Sequence, residues 1–180
     1  TLNITIANTA PTIPFVWISN TTFSNGTFIL DSNPIENGFE NITVNFYVDD
    51  ADGTGNIDNL GGVVNVTRAG EFTRYNQSCG KVGNINGTRA NFTCVVKLWY
   101  WDGSGVWNLS TSINDSSNSR VYNNSGNFTY TQLTAFVLGP GALTWTSISP
   151  GAYNQTSNND PLVLNNTGNY AVTTANIQVN

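Results

Sequence analysis

The chemistry this chain offers is mostly amide chemistry. Asn followed two residues later by Ser or Thr, with no Pro between them, is the acceptor triplet for an N-linked sugar. Such triplets begin at Asn3, Asn20, Asn25, Asn41, Asn65, Asn76, Asn86, Asn91, Asn108, Asn114, Asn123, Asn127, Asn154 and Asn165, fourteen in all. The chain has 29 Asn, and Ser and Thr together make up 37 of its 180 residues, so fourteen is more than twice what random placement would give. The reading is a chain decorated at several of these sites, with sugar supplying the solubility that charge normally supplies. Charged residues are only 9 % of the chain, against about a quarter in an average domain. The alternative is an Asn- and Thr-rich surface left bare.

Six triplets have an apolar middle residue: those at Asn3, Asn41, Asn65, Asn91, Asn108 and Asn127. On a strand the middle side chain turns inward, and the Asn and the hydroxyl residue turn outward. A sugar at such a site would stand in solvent while the core stays closed.

Cys79 and Cys94 are the only cysteines. They flank a segment with Asn86-Gly87 at its centre, a hairpin-turn pair. A disulfide closing this loop fits an extracellular, cell-surface location; two free buried thiols are the alternative. With no His and no third Cys, zinc is not expected. Asp50, Asp52, Asn56 and Asp58 gather oxygen donors on a Gly-containing loop. Two readings stand, a calcium loop or Asx-type turns. Numbered as an EF-hand from Asp50, the loop has Gly55 in place but Gly61 where the bidentate Glu belongs, so it is not an EF-hand.

The absence of His removes the commonest general base. Most carboxylates sit in Gly-rich turns. No catalytic constellation emerges, and the chain is not expected to be an enzyme. The net charge is -5 and the six basic residues are scattered, which argues against nucleic acid. No apolar stretch is long enough to span a bilayer as a helix. The chain begins at Thr1 without Met, and the expectation is a mature terminus from which a leader was removed.

These residues need strands to position them. Thr, Val, Ile and aromatics favour strands, whereas Asn, Ser and Gly disfavour helix. Strands are expected at 12–18, 27–31, 40–50, 61–75 (broken at Ala69-Gly70), 90–103, 106–115, 119–126, 126–138, 142–148, 161–166 and 169–179. Ile42, Val44, Phe46 and Val48 share one face, as do Phe92, Cys94, Val96, Leu98 and Tyr100, with Trp99 and Trp101 opposite. The fold class is all-β, an antiparallel sandwich of about seven to ten strands. Residues 11–180 form the domain, with a hinge expected at 139–141. Residues 1–10 stand apart: Leu2, Ile4 and Ile6 alternate on one face, and Pro11 and Pro14 disfavour a tight hairpin back onto the same sheet.

The stretches NFYVDDADGTGNIDN, LWYWDGSGVWNLSTSIND and SISPGAYNQTSNNDPLVLNNTGN resemble immunoglobulin-like modules of secreted archaeal surface glycoproteins. That resemblance implies a structural subunit, either of an extracellular filament or of a surface layer. In the filament case it implies a homopolymer in which Leu2, Ile4 and Ile6 enter a neighbouring subunit as a donor strand. The rival reading is an adhesin or carbohydrate-binding module, with Trp99, Trp101 and Trp107 stacking on sugar if they share an exposed face.

Overall fold

A computed structural model of the chain describes residues 7–19 and 31–173. Among these, ten strands follow in order: β1 (Thr12–Ser19), β2 (Asp31–Ser32), β3 (Phe39–Asp49), β4 (Gly62–Thr67), β5 (Arg74–Asn84), β6 (Arg89–Trp99), β7 (Gly105–Asn114), β8 (Arg120–Tyr130), β9 (Phe136–Gly139) and β10 (Val163–Asn166). The all-β expectation holds. The first eight strands form one sheet in the order β1-β3-β6-β5-β4-β7-β8-β2, and β9 and β10 form a second, two-stranded sheet. All pairings are antiparallel except β2 with β8.

Two separate sandwich layers were expected, but the hydrogen bonding runs continuously, because β5 serves both halves. Its first part pairs with β4, from Val66↔Arg74 to Gly62↔Cys79. Its second part pairs with β6, from Gly80↔Thr93 to Asn84↔Ala90. The sheet turns a corner along β5 and curls until β1 packs against β8. There the Asn123 amide donates to the Ile13 carbonyl at 2.7 Å. The result is a near-barrel whose interior is filled by alternate residues. Val44, Phe46, Val48, Phe92, Leu98, Val64, Val66 and Trp107 are fully buried, and Phe46 stacks on Phe92 at 5.5 Å.

Local detail departs from the sequence reading at three places. Tyr100 does not continue the inward row. Strand β6 ends at Trp99, where the Asp102 carboxylate accepts the Trp99 N–H at 2.7 Å and starts a turn, so Tyr100 is only half-buried. The segments read as 119–126 and 126–138 are one strand, β8, followed by irregular chain and then β9. Residues 142–148 form no strand and lie exposed on the loop between β9 and β10. Gly139 closes β9 and is joined to Pro140 by a cis peptide.

The small sheet is sewn to the large one at Thr167–Asn169. The Thr167 hydroxyl donates to Glu36 at 2.7 Å, and the Asn169 amide donates to the Thr131 carbonyl at 2.9 Å. Gly168 is needed there, since a Cβ would fall 2.2 Å from the Leu133 carbonyl oxygen.

Gly126 has a comparable role at the β1–β8 seam. A Cβ there would lie 3.1 Å from Leu109 and 3.2 Å from Val16. Gly126→Val should therefore wedge the seam and cost about 1–3 kcal/mol, read as a lower urea midpoint with an unchanged slope. An unchanged midpoint would show that the seam tolerates the added bulk.

Candidate functional site: a clamp at one end and an open strand edge at the other

The ends of the near-barrel differ. At one end lie the loop after β3, the β5–β6 turn and the β7–β8 turn. Asn86 makes the β5–β6 turn as the sequence implies, its Oδ1 accepting the N–H of Thr88 at 2.9 Å and of Arg89 at 2.8 Å. Arg89 and Asp49 form a two-pronged pair at 2.5 and 2.6 Å beside it.

Asp50, Asp52, Asn56 and Asp58 are found in this end, and each has a side-chain oxygen that accepts a hydrogen bond. The Asp50 carboxylate accepts the Asp52 N–H at 2.8 Å and the Asn56 amide at 3.2 Å. Asp58 accepts the Leu60 N–H at 3.0 Å. The bonds from Asp52 and Leu60 are Asx-type turns. Among the described residues no group of three or more His, Cys, Asp or Glu is placed to hold a metal.

What the loop does hold is the N-terminal segment. Asp52 accepts the Thr9 N–H at 2.6 Å, Asn56 donates to the Asn8 side-chain Oδ1 at 2.9 Å, and the Asn8 side-chain amide donates to the Asp115 carboxylate at 2.7 Å. Ser116 N–H in turn donates to the Asn56 main-chain oxygen at 2.7 Å. Asp115 is buried and also accepts the N–H groups of Ser119 and Ser117 at 2.7 and 2.9 Å. The loop after β3 and the β7–β8 turn thus converge on Asn8 and Thr9 and hold the chain just before β1. Leu2, Ile4 and Ile6 lie outside the described residues, as do Asn3, Asn20 and Asn25.

The other end holds the turns after β4 and β6. Arg74 grips the buried Asp102 with two bonds, at 3.1 and 2.5 Å. Tyr130 is buried there and donates to the Trp99 carbonyl at 3.2 Å; burial, with Asp102 and Glu40 nearby, pushes its phenol well above the ordinary range. Glu40 is raised by burial.

Between these landmarks β6 is open on one side. Residues 94–99 pair with β3 throughout, but on the β5 side no ladder pair forms beyond Gly80↔Thr93 among the described residues. The disulfide Cys79–Cys94, with Cα atoms 4.6 Å apart, marks the upper limit of the gap, and Arg74–Asp102 marks the lower. One side-chain bond crosses it, from the Asn76 amide to the Val95 carbonyl at 2.9 Å. A recess of about 370 Å³ lies here, bordered by Arg74, Tyr75, Val95, Lys97 and Trp99.

Eleven of the fourteen triplets fall on described residues. In the five with an apolar middle residue, Ile42, Val66, Phe92, Leu109 and Phe128 are all 2 % exposed or less, and the flanking residues face outward. Asn108 stands directly opposite Asn127. Asn123 and Asn76 spend their amide nitrogens on main-chain carbonyls.

The three tryptophans do not share an exposed face. Trp107 is fully buried and donates to the Gly103 carbonyl at 2.9 Å, while Trp99 and Trp101 stack on each other at 4.7 Å. Sequence reasoning missed Asn8 and Thr9. Asn56 and Asp115, which hold Asn8, lie 48 and 107 residues from it in the chain, and no local pattern carries that.

No protein-family model, curated protein or solved structure matches this chain. The functional reading therefore rests on the residues and geometry above.

The Asp115 carboxyl is held below its ordinary value, first by the Asn8 amide and then by the Ser119 and Ser117 N–H groups. A depressed carboxylate lends stability above its unfolded value of about 4 and loses it as the pH falls through the lower folded value. The clamp should hold at pH 7 and loosen below about pH 4. The NMR signal of the Asn8 side-chain amide should move as the pH falls below about 4 and stay still in Asp115→Asn; a signal that never moves would sever Asn8 from Asp115.

Proposed function

We propose that the chain is a structural subunit of an extracellular, N-glycosylated filament. Neighbouring copies are joined when the N-terminal strand of one, with Leu2, Ile4 and Ile6 on its apolar face, adds to an open strand edge of the next. The curled sheet would then act as an immunoglobulin-like module completed by a foreign strand, of the kind the sequence resembles in archaeal surface glycoproteins.

The observation that carries this reading is the half-open edge of β6 at the end opposite the Asn8 clamp. Along residues 94–99 β6 is paired with β3 but carries no ladder pair on its β5 side among the described residues, and this side lies beside an apolar interior. Strand addition satisfies such an edge and seats alternate side chains in pockets. From Arg89 to Trp99, β6 spans ten steps, about 33 Å. Six residues leaving the clamp reach at most about 20 Å, so a chain cannot fill its own edge as far as Trp99. A second copy can. Because root and edge lie at opposite ends, the contact repeats head to tail without closing, which yields a fibre. The Asn76 amide that caps Val95 would be displaced by the incoming backbone.

The fourteen triplets and the disulfide support the extracellular part of the proposal. The surface-layer reading would use the same ends but needs lateral contacts as well, and no feature described above favours it.

The test is deletion of residues 1–6. Full-length protein should assemble into fibres seen by negative-stain electron microscopy, and the deleted chain should stay monomeric. A synthetic peptide of residues 1–8 should raise the melting temperature of the deleted chain. Fibres of equal length from the deleted chain would overturn the donor role of Leu2, Ile4 and Ile6.

A further inference from the structure

Phe39 and Asn41 are two residues apart on β3, so their side chains share the outer face of the sheet. The register places Phe39 opposite Trp99 and Asn41 opposite Lys97. Trp99 meets the Phe39 ring edge-on with centroids 5.1 Å apart, and the Lys97 ammonium sits 4.2 Å from the centre of the same ring. Trp101 stacks on Trp99 and is half exposed. Three rings and one ammonium thus form a shelf beside a single asparagine. Among the described triplets, Asn41 alone has an aromatic residue two positions before it.

The Asn41 amide is also asymmetric. Its Oδ1 is sealed from solvent without a hydrogen-bond partner, whereas its Nδ2 is not sealed and donates no hydrogen bond among the described residues. The nitrogen, which is the atom a sugar would occupy, is thus left uncommitted among the described residues.

We propose that Asn41 is an occupied glycosylation site whose first sugar packs its C–H face on Phe39, with Trp99 behind the ring and Lys97 donating to the sugar hydroxyls. The inference rests on the glycoprotein reading above. Transfer forms a bond from the anomeric carbon of the sugar to Nδ2 and breaks the bond from that carbon to the leaving oxygen of a glycosyl diphosphate donor. The amide proton is lost to base, and the diphosphate leaves. A pyranose has an apolar C–H face and a hydroxyl rim, and the shelf offers a partner for each: aromatic surface and a three-donor ammonium. In the bare chain Lys97 covers the ring, but an exposed cation–π contact is weak and yields to a larger occupant. Asn108 and Asn127, by contrast, follow Val106 and Ser125 at the same spacing and have no ring to receive a sugar.

Cleavage before aspartates gives a peptide of residues 31–48 in which Asn41 is the sole triplet, so mass spectrometry of natively glycosylated protein reads this site alone. The peptide should carry sugar in nearly all copies. Asn41→Gln should lower the melting temperature by about 2–4 °C, and should lower it far less in a Phe39→Leu background, which keeps apolar bulk but removes the ring. A bare 31–48 peptide in a chain glycosylated elsewhere overturns the proposal alone. Equal losses in both backgrounds overturn the seat on Phe39. A chain bare at every triplet overturns the glycoprotein reading together with it.

Discussion

The structure depends on one strand having two partners. β5 has eleven residues and gives its first part to β4 and its second to β6. If it paired with β6 along its whole length, the hairpin would be flat and the inner face of β4 and β7 would lose its cover. Dividing the pairing forces the chain to bend at Cys79-Gly80, and the disulfide fixes that bend. Gly62 allows it, because a Cβ there would meet the Cys79 Cβ at 2.7 Å and the Phe46 ring at 3.2 Å. The lower half of β6, left without a ladder on its β5 side, is the direct consequence. The device that curls the sheet is the same one that opens its edge.

This division of labour explains what could be read from the sequence and what could not. The alternation in β3 and β6 gave their buried faces residue by residue, and the turn at Asn86-Gly87 gave the hairpin that sets Cys79 against Cys94. Alternation says which side of a strand is buried, but not whether the sheet is one layer of a pair or curls on itself. Closure is decided by where β5 changes partner, which depends on packing around Gly62 and Phe46. Gly126 looked like a strand boundary because Gly usually is one; here it lies mid-strand, where β1 needs the room. Residues 142–148 have the right residue types for a strand, but their neighbour, residues 155–159, meets them mainly through side-chain bonds and forms no ladder.

The site was legible in the same uneven way. The placement of the strand triplets follows from period-two geometry, and Ile42, Val66, Phe92, Leu109 and Phe128 turn inward as that geometry requires. The Asp-rich loop was recognisable as a set of oxygen donors. Its occupants, Asn8 and Thr9, were not, because the converging turns are far apart in sequence. Phe39 beside Asn41 was visible in principle, since an aromatic two positions before an acceptor Asn shares its face on any strand.

An open edge is useful for assembly only if it is held open. Left free, β5 and β6 would zip together below the disulfide, or the edge would fray. Each outcome is opposed at a specific place. The disulfide anchors the top of the gap, and Arg74–Asp102 anchors the bottom. Asp102 is buried, so parting it from Arg74 would strand an uncompensated carboxylate, at a cost of about 3–5 kcal/mol. The Asn76 amide keeps the Val95 carbonyl satisfied. In the proposed assembly an incoming strand would meet a preset frame, and the ordering entropy to offset would be mainly its own. In a chain with only six basic residues, placing one of them at the foot of this gap gives it a role that surface solvation would not.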